Sequence, residues 1–144
     1  MIRGLIVAGA IALGVSAVVA QTSVIKDRQD AMKAIGAAAK APGGMLKGTE
    51  PFNLATVQAS LRTFAENANK SMNLYPEGSG QGDTAAAPKI WQTKADFDAK
   101  MKGLADAANK ALNDIKDEST FKTAFPEVAK NCGACHTDYR LKRG

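Results

Sequence analysis

Four stretches of this chain set apolar side chains at alternating steps of three and four residues, the spacing of a single helix face. No stretch alternates at step two for long enough to be read as a strand. The first stretch carries Ile25, Met32, Ile35 and Ala39, with Arg28 on the same face. Its expected start is Thr22-Ser23, where a hydroxyl can cap a helix, and its expected end is Pro42 with Gly43-Gly44. The second follows Pro51, with Asn53 as cap and Leu54, Val57, Leu61, Phe64, Ala68 and Met72 as its stripe. The third runs from about Ile90 to Ile115 through Phe97, Met101, Leu104, Ala108 and Leu112. The fourth starts near Ser119 and carries Phe121, Phe125, Val128, Cys132, Cys135 and Tyr139, with Pro126 expected to kink or break it.

Four amphipathic helices, each too narrow in its apolar face to stand alone, must share a core. The expected fold is all-α, an antiparallel four-helix bundle. Residues 76–88, with Gly78, Gly80 and Gly82 followed by Ala85 to Ala87, read as a surface crossover loop between the second and third helices. Aromatics make up only 6% of the 144 residues, and alanine is abundant, which favours closely packed helices over a β-sandwich. Such a core is thin, and a bound prosthetic group would supply the missing apolar bulk.

Residues 1–20 stand apart. Arg3 precedes a charge-free run from Gly4 to Ala20 that ends in small residues, the pattern of a secretory signal peptide. As a helix the 17-residue run would span only about 25 Å, short of a bilayer core. The expected domain is therefore residues 21–144, exported to a bacterial periplasm, with no stable membrane anchor after cleavage. The net charge of +5 is spread among acidic residues, apart from Arg140, Lys142 and Arg143. There is no basic stripe of the kind that reads nucleic acid.

The chain has two cysteines and one histidine, and all three fall in Cys132-Gly133-Ala134-Cys135-His136. This is C-x-x-C-H, the attachment pattern for c-type haem. Cysteines three apart on a helix face one side, so both sulfurs can reach the two vinyl groups of one porphyrin. His136 follows directly and can bind the iron as proximal ligand. Zinc would need further Cys or His ligands, and none exists. A thioredoxin-like dithiol would sit at a helix start beside strands. A plain disulfide in an exported protein is the simplest alternative. No nucleophile–base pair, carboxylate dyad or second metal site is apparent, so the chain is not read as an enzyme.

A helical bundle with C-x-x-C-H near its C-terminus resembles the class II c-type cytochromes, the cytochrome c′ family. The resemblance extends to Arg28-Gln29-Asp30-Ala31-Met32, Pro88-Lys89-Ile90-Trp91, Phe97-Asp98 and His136-Thr137-Asp138-Tyr139-Arg140. It implies a four-helix bundle, one covalent haem c with its iron, a periplasmic address and often a homodimer. Family members divide into a five-coordinate group with a shielded vacant face and a low-spin group with a methionine ligand that carries electrons. Met32 occupies the family's distal position, so the division turns on it. Met72 and Met101 sit on core stripes and read as packing residues.

The expectations that follow are Cys132 and Cys135 as haem attachment points, and His136 and Met32 as axial ligands. Arg28, one turn before Met32, is a candidate partner for a haem propionate, with a snorkelling surface arginine as the alternative. Arg140 is either a proximal-side contact or an exposed cation suited to a helix C-terminus. Trp91 is either a haem-edge contact or a core aromatic. The expected function is one-electron transfer to and from periplasmic redox proteins. The alternative is binding of nitric oxide or another diatomic gas.

Overall fold

The computed structural model describes residues 11–142, with side chains from Thr22 onward. Six helices follow in order: α1 (Ile11–Ala38), α2 (Lys40–Lys47), α3 (Leu54–Met72), α4 (Lys89–Gln92), α5 (Lys94–Asp114) and α6 (Glu118–Tyr139). The long helices α1, α3, α5 and α6 make the four-helix bundle that the stripes predict. The close pairings are α1 on α3, α3 on α5, and α5 on α6. Among the described residues there is no strand, only an isolated antiparallel bridge between Ala86 and Arg140.

Local chemistry explains the helix ends. Asn53 caps α3 by accepting the Thr56 amide at 2.9 Å. Asp117 caps α6 in a reciprocal box, accepting the Thr120 amide while the Thr120 hydroxyl accepts the Asp117 amide. Gly48 closes α2 at φ 73°, a left-handed conformation that glycine takes without a Cβ penalty.

Four expectations about boundaries are corrected. Thr22-Ser23 does not start the first helix, because α1 is continuous from Ile11 through the apolar run. The part of the expected leader before Ile11 lies outside the described residues. Pro42 and Gly43-Gly44 do not end that helix either: they lie within α2. The interruption falls at Ala38–Ala39, four residues before Pro42. A proline ring clashes with the carbonyl four residues back, while its missing N–H is tolerated in the first turn of a new helix. Finally, Pro126 does not break α6, which runs unbroken to Tyr139, whereas the third helix is interrupted at Thr93 to give α4 and α5.

The buried apolar side chains form two clusters. The larger lies mainly between α3, α5 and α6, with Ile35 of α1 and Met45 of α2, and Val57, Leu61, Ile115 and Phe121 are fully buried in it. The smaller contains Tyr75, Ile90, Phe97, Met101 and Tyr139. Leu54, Met72 and Leu112 sit at stripe edges and are only half-buried. No helix among the described residues is long and apolar enough to cross a membrane.

Candidate functional site

The C-x-x-C-H residues occupy the closing turns of α6. Helical spacing puts Cys132 and Cys135 on the face that continues the Phe121–Phe125–Val128 stripe, and both thiols are free and half-buried. Burial pushes both thiols above their usual pKa. They are therefore protonated at neutral pH, which is unlike the thiolate that a redox-active C-x-x-C presents at a helix start. Among the described residues no group of three or more His, Cys, Asp or Glu side chains could hold a metal ion. Gly133 and Ala134 between the cysteines are exposed, and a Cβ on Gly133 would meet open space.

His136 is half-buried one turn beyond Cys132. Burial, and then the charge of Arg140, lower its pKa below the usual imidazole value, so it is neutral at pH 7. Neutral imidazole is the form that binds iron. Arg140 itself is exposed at the C-cap, where its amide bonds the His136 carbonyl at 3.3 Å.

Met32 reaches this region from the other side of the bundle. It is half-buried and packs against both clusters, whereas Cys135 packs against the smaller one. The smaller cluster therefore joins a thioether on α1 to a thiol on α6. Its rings interlock: Tyr75 and Phe97 are 4.5 Å apart edge-on, and Phe97 and Tyr139 are 5.4 Å apart. Met101 is buried in this cluster and Met72 packs against it, so both are packing residues, as their stripes predict.

Arg28 is 3% exposed, with no carboxylate beside it. Its guanidinium lies 4.8 Å from the Tyr75 ring centre and 5.6 Å from that of Trp91. Nη2 donates to the Ser79 carbonyl at 2.6 Å, and Nε makes a long bond of 3.4 Å to the Val24 carbonyl. Nη1 is buried with no partner. Burial lowers the pKa of this arginine, and the phenol of Tyr75 is pushed up to about 12 for the same reason. A buried cation stacked on two rings with an unmet N–H group suits an anionic oxygen ligand, and a haem propionate is one. The surface-snorkelling alternative does not describe Arg28.

Trp91 is half-buried, and its indole N–H donates to the Pro76 carbonyl at 2.8 Å. Gly80 lets the backbone approach it, since a Cβ there would come within 3.1 Å of the ring. Sequence reasoning gave no role to Tyr75 or Ser79. Both lie beyond α3 where no periodic pattern speaks, although an aromatic directly before Pro76 was a usable signal. Tyr139 lies on the fourth stripe and in the terminal motif, and neither predicts its hydrogen bonds. Its hydroxyl donates to Asp96 at 2.5 Å and lies 2.8 Å from the Thr93 hydroxyl, which ties the end of α6 to the start of α5. Beside it Asp138 pairs with Lys89 at 2.9 Å and with Lys100 at 3.7 Å. These pairs are partly exposed and add little stability.

Known proteins share this fold. The family model described as Cytochrome C' matches residues 23–140. Cytochrome c' of Rhodopseudomonas palustris is 44% identical over 138 residues, 95% of this chain and 94% of that one. Cytochrome c-556 of the same organism is 38% identical over 149 residues, with all of both chains covered. The solved structure of Rhodopseudomonas palustris cytochrome c' superposes with a TM-score of 0.81 at 43% identity, covering 84% of this chain and 98% of that one. With its C-x-x-C-H on the last helix of a four-helix bundle, the chain belongs to the cytochrome c′ family of class II c-type cytochromes.

Proposed function

We propose that the chain is a periplasmic one-electron carrier that holds one haem c through thioether bonds to Cys132 and Cys135, with His136 and Met32 as axial ligands. When bound, this group supplies reversible exchange of a single electron at its iron. The observation that carries the reading is the smaller cluster, which Met32 borders from α1 and Cys135 from α6. His136 offers a neutral imidazole. Met32 offers a thioether, which asks for little rearrangement between oxidation states. Arg28 offers its unpaired Nη1 to a propionate, while Tyr75 and Trp91 hold its guanidinium. Arg140 adds positive charge beside His136. The aromatic cluster excludes water.

Export is part of the proposal: residues 1–20 are removed and residues 21–144 form the working domain. A family match that begins at residue 23 supports this division. Its partners are then other periplasmic redox proteins and, for a homodimer, a second copy of the chain. No catalytic role is assigned.

A second reading has one observation on its side. Met32 also packs against the larger cluster, so it could pack there without binding iron. The distal side would then be a shielded pocket for nitric oxide or another diatomic. Carbon monoxide binding by the ferrous holoprotein separates the two. The electron-carrier reading expects slow, weak binding by the wild type and at least roughly tenfold faster binding by Met32→Ala, since a protein ligand no longer competes. Fast binding by both proteins would favour the gas-binding reading.

A further inference from the structure

The loop between α3 and α4 is bonded at one end to α1 and at the other to α6. At α1, Arg28 Nη2 donates to the Ser79 carbonyl at 2.6 Å and Gln29 Nε2 donates to the Asp83 carbonyl at 2.9 Å. Gly82, at φ 101°, packs so closely there that a Cβ would lie 3.2 Å from Ile25 Cδ1. At α6, the Ala87 amide donates to the Tyr139 carbonyl at 3.0 Å, and the Leu141 amide donates to the Ala85 carbonyl at 2.8 Å. These bonds form the isolated bridge of Ala86 with Arg140. Residues 79–87 therefore run as a strap from one helix to the other.

Those two helices carry the proposed axial ligands. Among the described residues, α1 packs closely on α2 and α3 and α6 packs closely on α4 and α5, but α1 and α6 are not packed closely on each other. Close packing links α1 to α6 only indirectly, through α3, α5 and the smaller cluster, whereas the strap is hydrogen-bonded to both helices. Its anchors also lie one helical turn from each ligand. Arg28 precedes Met32 by four residues, and Tyr139 follows His136 by three.

We infer that the strap, residues 79–87, is a positioning element that fixes the separation of α1 from α6 and so holds Met32 at bonding reach of the haem iron. This rests on the haem reading above. Gln29 and the Leu141 amide are its positioning groups, and neither touches the cofactor in that reading. Slackening the strap lets α1 move outward, and the distal side opens to external ligands.

Leu141→Pro removes one anchoring N–H. Leu141 is exposed, and Arg140 before it already has φ −118° and ψ 125°, a conformation that a residue preceding proline accepts. Leu141→Ala keeps the N–H and is the control. Gln29→Ala cuts the other end. The holoproteins are compared by carbon monoxide association in the ferrous state and by ferric visible and near-infrared spectra. Leu141→Pro and Gln29→Ala should each speed association about three- to tenfold, the size expected for one net hydrogen bond. The double variant should multiply the two effects, and Leu141→Ala should match the wild type. Wild-type association rates and spectra in both single variants, even with lowered melting temperatures, would overturn the inference. If Leu141→Pro yields no holoprotein, Gln29→Ala decides alone. A wild type that is already high-spin overturns Met32 ligation but not the strap, which still requires the association rate to change in the variants.

Discussion

The two apolar clusters of the bundle are built from different side chains. The larger, between α3, α5 and α6, is aliphatic and phenylalanine-rich: Phe64 and Phe125 meet at 6.1 Å, Phe121 and Phe125 at 5.3 Å. Its buried members include the thioether of Met45 but no phenol. The smaller gathers aromatics with polar handles, Tyr75 and Tyr139, and sulfur from Met32, Met72, Met101 and Cys135. Arg28 is buried against its rings. Apolar burial without polar atoms gives stability alone. A cluster with phenols, thioethers and a buried cation gives up some of that stability for groups that can hold a charged, metal-containing ligand. Fold and site are thus largely divided between the two ends of one bundle, and Met32 touches both.

Substitutions can test this division. The largest effect is expected in the smaller cluster from Cys135→Ser, which in the proposed reading removes one of the two thioether bonds to the haem. The yield of folded holoprotein should fall sharply, as measured by haem content per chain; an equal yield and spectrum would break the comparison. Next, Phe121→Ala in the larger cluster should cost about 3–5 kcal/mol, because the side chain is fully buried. Its visible spectrum should match the wild type below the melting transition. A shifted spectrum would show that the clusters are coupled.

Met32→Ala should reverse that pattern. Met32 is only half-buried, so its loss should cost about 2 kcal/mol or less. The spectrum, however, should change from low-spin to high-spin. The smallest effect is expected at the α6 cap, remote from the smaller cluster. The Thr120 amide and hydroxyl hold the Asp117 carboxyl below its usual pKa. A depressed carboxylate stabilises the fold above the unfolded-state value near ~4 and loses that contribution as pH falls through the folded value. Asn caps a helix about as well as Asp. Asp117→Asn should therefore melt like the wild type at pH 7 and show a flatter decline in acid, with an unchanged spectrum.

The bundle was legible because its stripes keep step with the helical repeat. Val57, Leu61, Phe97, Phe121 and Val128 are all buried where spacing puts them. The motif residues were legible because their chemistry depends on neighbours in sequence. Less legible was whatever depends on distant partners. Ser79 meets Arg28 across 51 residues, and Tyr139 meets Asp96 across 43. No local pattern encodes such pairings. The run of small residues from Gly78 to Ala87 suggested an ordinary surface loop, yet Ser79 and Ala87 are buried and the loop bonds two helices together. Pro42 reads as a stop in sequence, yet four residues after Ala38 it ends one helix and sits comfortably in the first turn of the next.

The central claim is that Met32 and His136 bind the iron from opposite faces. The most direct test is the ferric spectrum of the wild-type holoprotein, from the visible into the near infrared. The account predicts a low-spin spectrum with a weak sulfur-to-iron band in the near infrared that disappears in Met32→Ala. A high-spin wild-type spectrum without that band, unchanged by Met32→Ala, would contradict it.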